Sequence, residues 1–88
     1  MQWYKVRKRP IVVRCRPFEG DPDDPDVMVT SIANGGQVKS GFVVNTLEGP
    51  VQITPGDWIM EGVRNEKYPI NHGILLETYD FIDKVEEE

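Results

Sequence analysis

Apolar and polar residues alternate most regularly between residues 42 and 59. The β-type runs 42–47 and 51–53 flank Glu48-Gly49, a pair suited to a two-residue hairpin turn that needs positive φ. Residues 54–57, Thr-Pro-Gly-Asp, then place Pro and Gly in the order of a type II turn. This stretch therefore predicts a β-hairpin followed by a sharp bend.

The pattern after the bend predicts two further short strands. Trp58 and Met60 fall on one face of the first, while Ile59 and Glu61 fall on the other together with Asp57. Gly62 opens a turn. Residues 67–69 then predict a short strand closed by a proline, which cannot donate to a central ladder.

The N-terminal pattern predicts a strand over residues 9–18. Ile11, Val13 and Cys15 share one face, and Val12, Arg14 and Arg16 share the other, so one face is buried and the other is largely solvated. Cys15 is interpreted as a small core residue, since no neighbouring cation or histidine is evident that would activate it as a nucleophile.

Residues 19–26 form an acidic loop, and the element that follows it has two interpretations. The loop does not predict a calcium site, because the spacing of its five acidic residues does not match an EF-hand loop. Asp24 as N-cap and Pro25 at the first position favour a helix over residues 25–34 that Gly35-Gly36 ends. The alternative is a strand through residues 27–30, which are mostly β-branched.

The remaining pattern completes an α+β prediction. Residues 37–47 predict a strand with Phe42 and Val44 on one face, Asn71 caps a short helical turn through residues 74–76, and residues 78–82 predict a last strand. Residues 84–88 are expected to be a frayed acidic tail. The predicted fold is a mainly antiparallel, bent sheet or small open barrel of five or six strands with one or two short helices.

Composition fits a single small domain spanning residues 1–88. Of the 88 residues, 39% are hydrophobic and 28% charged, which is typical of a globular chain. The one cysteine cannot form an internal disulfide, and no apolar run is long enough to span a membrane. We therefore expect a cytoplasmic protein with no membrane partner.

Charge is distributed unevenly along the chain. The first sixteen residues hold six of the ten basic residues and none of the fifteen acidic ones. One interpretation is that the basic N-terminal strand pairs with the acidic C-terminal one; the other is a basic stripe that binds phosphates. The net charge of −5 argues against tight binding of duplex nucleic acid.

The residue types present argue against most enzyme chemistries. One His and one Cys cannot supply a usual zinc set. A nucleophile such as Cys15, Ser31 or Ser40 would need a base beside it, and the sole histidine is in a Gly-flanked loop. We predict no metal, no cofactor and no catalytic residues. If a ligand site exists, we expect it to combine a stacking ring, a bidentate cation and a hydroxyl beside a rigid proline. Those residues are Arg9, Trp58, Arg64, Glu66, Tyr68 and His72. Core packing for Trp58, an Arg64–Glu66 salt bridge and edge packing for Tyr68 are the structural alternatives.

Several short motifs, in order, resemble a family of small phage and prophage proteins with a Pro-Gly-Asp-Tyr-Gly-like signature. The matching residues are 9–13, 46–49, 55–59, 62–63, Glu66, 68–69 and 77–79. Where many members carry Cys-Lys-Pro-Asp-Ile-Phe, this chain has Ile-Asn-His-Gly-Ile-Leu at 70–75. The resemblance implies an origin in a mobile element and no particular chemistry.

Two classes of function follow. The first is a non-enzymatic phage accessory protein that binds a host protein or a small nucleotide-like ligand, with countering a host defence as one role. The alternative is a structural or assembly component that forms a homo-oligomer through its sheet edges. A small enzyme acting on a nucleotide is the least favoured.

Overall fold

The computed structural model describes residues 1–85, with every side chain except that of Asn34. Its elements are β1 (Arg14–Pro17), β2 (Met28–Asn34), β3 (Gln37–Thr46), β4 (Gly49–Ile53), β5 (Trp58–Glu61), β6 (Lys67–Ile70) and α1 (His72–Thr78). The strands form two antiparallel three-stranded sheets, in the orders β1-β5-β6 and β2-β3-β4. The predicted α+β class with a mainly antiparallel sheet is confirmed, and the sheets are not closed into a barrel.

β2 and β3 form a long hairpin, so the favoured helix over residues 25–34 is wrong and the alternative of a strand is correct. Gly35 and Gly36 both have positive φ, +58° and +84°, as a two-residue type I′ turn requires. They connect the partners Asn34 and Gln37 instead of ending a helix. The β-branched residues between Val27 and Ile32 also favour a strand, and this preference outweighs the helix-start signal at Asp24-Pro25.

The predicted hairpin between β3 and β4 is confirmed, but its turn lies one residue earlier than expected. Thr46 pairs with Gly49, so Leu47 and Glu48 make the connection and the positive φ of +102° falls on Gly49. The Thr46 hydroxyl fixes this turn, because it accepts from the Glu48 amide at 3.1 Å and donates to the Gly49 carbonyl at 2.7 Å.

The predicted type II turn is also confirmed, and it links the two sheets. The Asp57 amide donates to the Thr54 carbonyl at 3.0 Å, and Gly56 has a φ of +99°. Phe18 meets this turn through two backbone bonds, donating to the Asp57 carbonyl at 2.8 Å and accepting from the Gly56 amide at 2.9 Å. The bend thereby holds the segment after β1 against the chain that joins β4 to β5.

The core lies where the two sheets meet, with β6 packed against β3 and β4. Its buried cluster is Phe18, Val27, Val44, Ile53 and Ile59, with Phe42 packed against it. Phe18 and Phe42 make an edge-to-face pair with ring centroids 5.1 Å apart. The predicted pairing of Phe42 and Val44 on one face of β3 is therefore confirmed.

Ion pairs across three strands fix the register of the β1-β5-β6 sheet. Glu61 on the central strand accepts from Arg14 Nε at 2.7 Å and lies 2.9 Å from Lys67 Nζ. These residues are register partners, Arg14 with Glu61 and Glu61 with Lys67. Opposite charges directly across a sheet favour one register over a slipped one.

The N-terminal strand is shorter than predicted. Only residues 14–17 pair with β5, while Ile11 and Val12 lie outside any strand with exposed side chains. The basic residues Arg14 and Arg16 meet carboxylates of β5 and of the 21–26 loop, so the predicted pairing with an acidic C-terminal strand is wrong. Sequence alternation continues through residues 9–13, but the ladder on β5 ends at Arg14.

The helix after β6 is confirmed and longer than the predicted turn. The Asn71 side chain caps it by accepting from the amides of Gly73 and Ile74. Thr78 ends α1, and residues 79–85 have no regular structure, so the predicted strand over 78–82 is wrong. Of the predicted acidic tail, residues 86–88 lie outside the described residues. Within residues 1–85, no helix has the length and apolarity needed to cross a membrane.

Candidate functional site

Two of the predicted site residues, Trp58 and His72, are in direct contact. The indole Nε1–H donates to His72 Nδ1 at 2.9 Å, and the rings stack with centroids 6.1 Å apart. Phe81 packs edge-on against the indole at 5.4 Å. The contact joins the start of α1 to β5 and requires an unprotonated Nδ1 on the imidazole, since that atom is the acceptor.

Glu66 closes the turn between β5 and β6. Its Oε2 accepts from the Arg64 backbone amide at 2.8 Å, and its carbonyl accepts from the Gly62 amide at 2.8 Å. The Arg64 residue is exposed. Glu66 therefore contacts the backbone of residue 64, and this hydrogen bond supports the turn geometry.

Tyr68 lies beside Tyr79, on the side of the domain that the N-terminal segment reaches. Burial, followed by hydrogen bonding to Tyr79, raises the pKa of Tyr68 to about 12. Lys8 Nζ lies 3.5 Å from the Tyr79 hydroxyl and 5.4 Å from the centre of its ring. This contact is a cation–π interaction that holds Lys8 near the end of α1.

A shallow groove of about 330 Å³ brings Glu66 and Tyr68 together at one surface. Its lining is Thr46, Leu47, Glu48, Val51, Glu66, Lys67, Tyr68 and Pro69. Arg9, Trp58, Arg64 and His72 are not in this lining. The six predicted residues thus fall into separate places: a Trp58–His72 contact, a Glu66–Tyr68 groove, and two exposed arginines.

The best-defined ionic cluster is one that sequence analysis missed. Arg16 donates to Asp24 through Nη1 at 2.6 Å and Nη2 at 2.5 Å, and to Asp26 Oδ2 at 2.6 Å. Asp24 is 8% exposed, and the hydrogen bonds from Arg16 lower its pKa. Its carboxylate also accepts the Asp26 amide at 2.9 Å. The cluster attaches the acidic loop to β1, so Asp24 stabilises this loop and does not cap a helix.

The second ionic cluster, around Glu61, also stabilises the fold. Hydrogen bonds from Arg14 and then Lys67 lower the pKa of Glu61 to about 2.

Burial raises the pKa of Cys15, which disfavours its thiolate. Across the described residues, no group of three or more His, Cys, Asp or Glu side chains is placed to hold a metal ion.

The four sheet edges differ in how they are protected against pairing with another chain. Edge strands are normally blunted by charged residues or by proline, which lacks the amide donor. Three edges follow this rule: β1 carries two arginines and Pro17, β4 carries Pro50, and β6 carries Lys67 and Pro69. The fourth edge, β2, has neither a charge nor a proline. Indeed, residues 27–38 contain no charged residue at all.

The geometry of the Gly35-Gly36 turn shows which backbone groups of β2 point away from the sheet. A turn of this type closes with a bond from the Gln37 amide to the Asn34 carbonyl, and bonded and non-bonded pairs alternate along an antiparallel ladder. Thr30 and Ile32 therefore bond to β3, whereas Val29, Ser31 and Ala33 direct their amides and carbonyls outward. Among the described residues, no backbone bond from another segment reaches these three.

The chain also exposes more surface than its mass requires. Its accessible surface is 7793 Å², whereas a compact monomer of this mass exposes about 5300 Å². Its radius of gyration of 15.6 Å likewise exceeds the roughly 12 Å expected for a chain of this length. Residues 1–12 lie outside any helix or strand and are all exposed, so they account for part of this surface. The β2–β3 hairpin contributes further exposed apolar residues, including Val29 at 53% and Val38 at 71% exposure.

Comparison with known protein families, curated proteins and solved structures found no match.

Proposed function

We propose that this protein is a non-enzymatic accessory protein that binds another polypeptide by adding a strand to its β2 edge. The observation that carries the proposal is the contrast between β2 and the other three edges, all of which bear proline, charge or both. In strand addition, main-chain hydrogen bonds supply affinity, and the outward groups of Val29, Ser31 and Ala33 offer them.

Exposed apolar side chains on the hairpin support the same proposal. Val29 of β2 is 53% exposed and Val38 of β3 is 71% exposed. A partner strand on β2 would cover part of this apolar surface, which the domain itself leaves exposed.

A small nucleotide-like ligand fits the geometry less well than a protein does. The groove of about 330 Å³ is at the lower limit of ligand sites, and two of its lining residues, Glu48 and Glu66, are acidic. Lys67, the one basic lining residue, is paired with Glu61. Phosphate groups would thus meet a net negative surface, which favours the protein partner among the predicted ligands.

The ionic groups support a non-enzymatic role. Asp24 and Glu61 are each held ionised by arginine, and His72 Nδ1 accepts from Trp58. General acid–base catalysis near neutral pH works best with a group whose pKa lies near that pH, and both carboxylates are shifted away from it. The phage or prophage origin stays a prediction that rests on the resemblance. The role against a host defence stays a prediction that rests on the resemblance, the small size of the chain and its lack of a catalytic grouping.

The proposal is tested by capture experiments that compare β2 with its neighbour. Tagged wild-type protein, Ser31→Lys and Ser40→Lys would each be incubated with bacterial lysate to which untagged chain has been added. Ser40 is the register partner of Ser31 but lies on the central strand β3, so it controls for added charge. We expect proteins captured by wild type and Ser40→Lys to be lost with Ser31→Lys. Equal capture by all three would refute binding through β2.

A further inference from the structure

We infer that the partner of β2 is a second copy of this chain, paired antiparallel through β2 of each copy across a two-fold axis at Ser31. The result is one continuous six-stranded sheet in the order β4-β3-β2-β2-β3-β4. This inference rests on the proposed function, because it names the polypeptide that occupies the β2 edge.

The outward groups of β2 are arranged symmetrically for such a pair. Val29, Ser31 and Ala33 alternate with the residues that bond to β3, and Ser31 is the middle of the three. When two copies run antiparallel, Ser31 meets Ser31 of the second copy and Val29 meets Ala33. Each of these pairs exchanges two main-chain bonds, so the junction contains about six hydrogen bonds. This register uses every outward group of the three residues.

The charge pattern of β2 favours a second copy over a foreign strand. In a self-pair related by a two-fold axis, a charge at the centre of the strand would meet its own copy, and directly opposed like charges are destabilising. A foreign acidic or basic strand would instead be selected by complementary charge on β2. β2 holds no charged residue, so the self-pair opposes no like charges.

Side chains next to the junction are compatible with close approach. Val29, Ser31 and Ala33 share one face of β2, since alternate residues of a strand point to the same side. These residues are small or β-branched and exposed. Side by side in the six-stranded sheet, Val29 of one copy and Ala33 of the other extend a single apolar strip.

The first test is the solution mass of wild type, Ser31→Lys and Ser40→Lys by sedimentation velocity over a wide concentration range. Wild type and Ser40→Lys are expected to reach twice the chain mass of 10.1 kDa, and Ser31→Lys to dimerise at least about tenfold more weakly. Circular dichroism of each variant at low concentration checks that the hairpin is folded. A wild type that stays monomeric at millimolar concentration overturns the inference.

The second test asks whether residue 31 faces residue 31. Ser31→Lys and Ser31→Glu are each expected to be monomeric alone and to form a mixed dimer when combined, since opposite charges then meet at the axis. Native mass spectrometry distinguishes the mixed dimer from either homodimer. If both variants remain dimers, or if their mixture stays monomeric while wild type dimerises, the Ser31-centred pair is wrong.

These results separate the inference from the proposed function. If wild type captures no polypeptide in a way that depends on Ser31, the untagged copy included, the proposed function itself is refuted. Capture of a different protein that depends on Ser31, combined with a monomeric wild type, would retain strand addition and refute the second copy as the partner.

Discussion

Removing the Asp24 carboxylate should destabilise the domain measurably, because that group holds the acidic loop against β1. In Asp24→Asn the side chain keeps its size but loses its charge, and its amide nitrogen must face one of the Arg16 nitrogens that lie 2.5–2.6 Å from the carboxylate. Arg16 keeps its bond to Asp26 and is partly exposed, which limits the loss. Hydrogen bonds to charged groups contribute about 1.5–3 kcal/mol. We therefore expect Asp24→Asn to lower the free energy of unfolding by about 2 kcal/mol.

That loss is a sizeable fraction of the total stability. An 88-residue domain is stable by roughly 4–13 kcal/mol. Urea unfolding of a small domain has a slope near 1 kcal/mol per molar, so the midpoint should fall by about 2 M. Asp23→Asn is the matched control, since Asp23 is an exposed residue of the same loop. A shift in Asp24→Asn no larger than that of Asp23→Asn would refute the structural role of the cluster.

Acid should remove the same contribution from wild type. Hydrogen bonding to Arg16 lowers the pKa of Asp24 in the folded state, so the carboxylate stabilises the fold fully above its ordinary pKa of about 4. The contribution is then lost as the pH falls through the lowered folded-state pKa. The difference in free energy of unfolding between wild type and Asp24→Asn should therefore have its full size at pH 7 and shrink below about pH 4. A difference that is constant from pH 7 to pH 2 would contradict this linkage.

Three other perturbations test other parts of the fold. His72→Ala removes the acceptor of the Trp58 indole and should lower the free energy of unfolding by about 0.5–1.5 kcal/mol in urea titrations. Gly56→Ala meets no atom within 4 Å but must keep a φ of +99°, so we expect a cost of about 1–2 kcal/mol and a melting temperature lower by roughly 4–16 °C. Arg14→Gln should raise the pKa of Glu61 from about 2 towards 4.5, and NMR titration of the Glu61 carboxyl carbon measures this change.

Each of these has a clear contrary outcome. Unfolding of His72→Ala indistinguishable from wild type would show that the Trp58 contact contributes nothing to stability. An unchanged melting temperature in Gly56→Ala would mean that the bend tolerates a side chain at positive φ. A Glu61 pKa that stays near 2 without Arg14 would assign the shift to Lys67, the other cation on that carboxylate.

Local chemistry explains which parts of the fold could be predicted from the sequence. The bend at Pro55-Gly56 and the cap at Asn71 depend on residues adjacent in sequence, and both are confirmed. The helix prediction for residues 25–34 failed because Gly35-Gly36 suits both a helix end and a type I′ turn. Only pairing with β3 decides between them.

Contacts between distant segments were harder to anticipate. Arg16 lies on β1, and its partner Asp24 lies in a loop whose path follows from tertiary packing. The proposed binding edge did leave a signal in the sequence, namely the charge-free stretch 27–38. That signal becomes interpretable once β2 is known to be an edge strand, because a buried strand may lack charge for a different reason.

The central claim, that the outward side of β2 pairs with another strand, is tested most directly by amide hydrogen exchange measured residue by residue at low and high protein concentration. The amides of Thr30 and Ile32, which bond to β3, should be protected at both concentrations and serve as the internal control. Those of Val29, Ser31 and Ala33 should exchange rapidly in dilute protein and become protected as the protein is concentrated. Exchange of these three amides that does not change with concentration would contradict the account of β2 self-pairing.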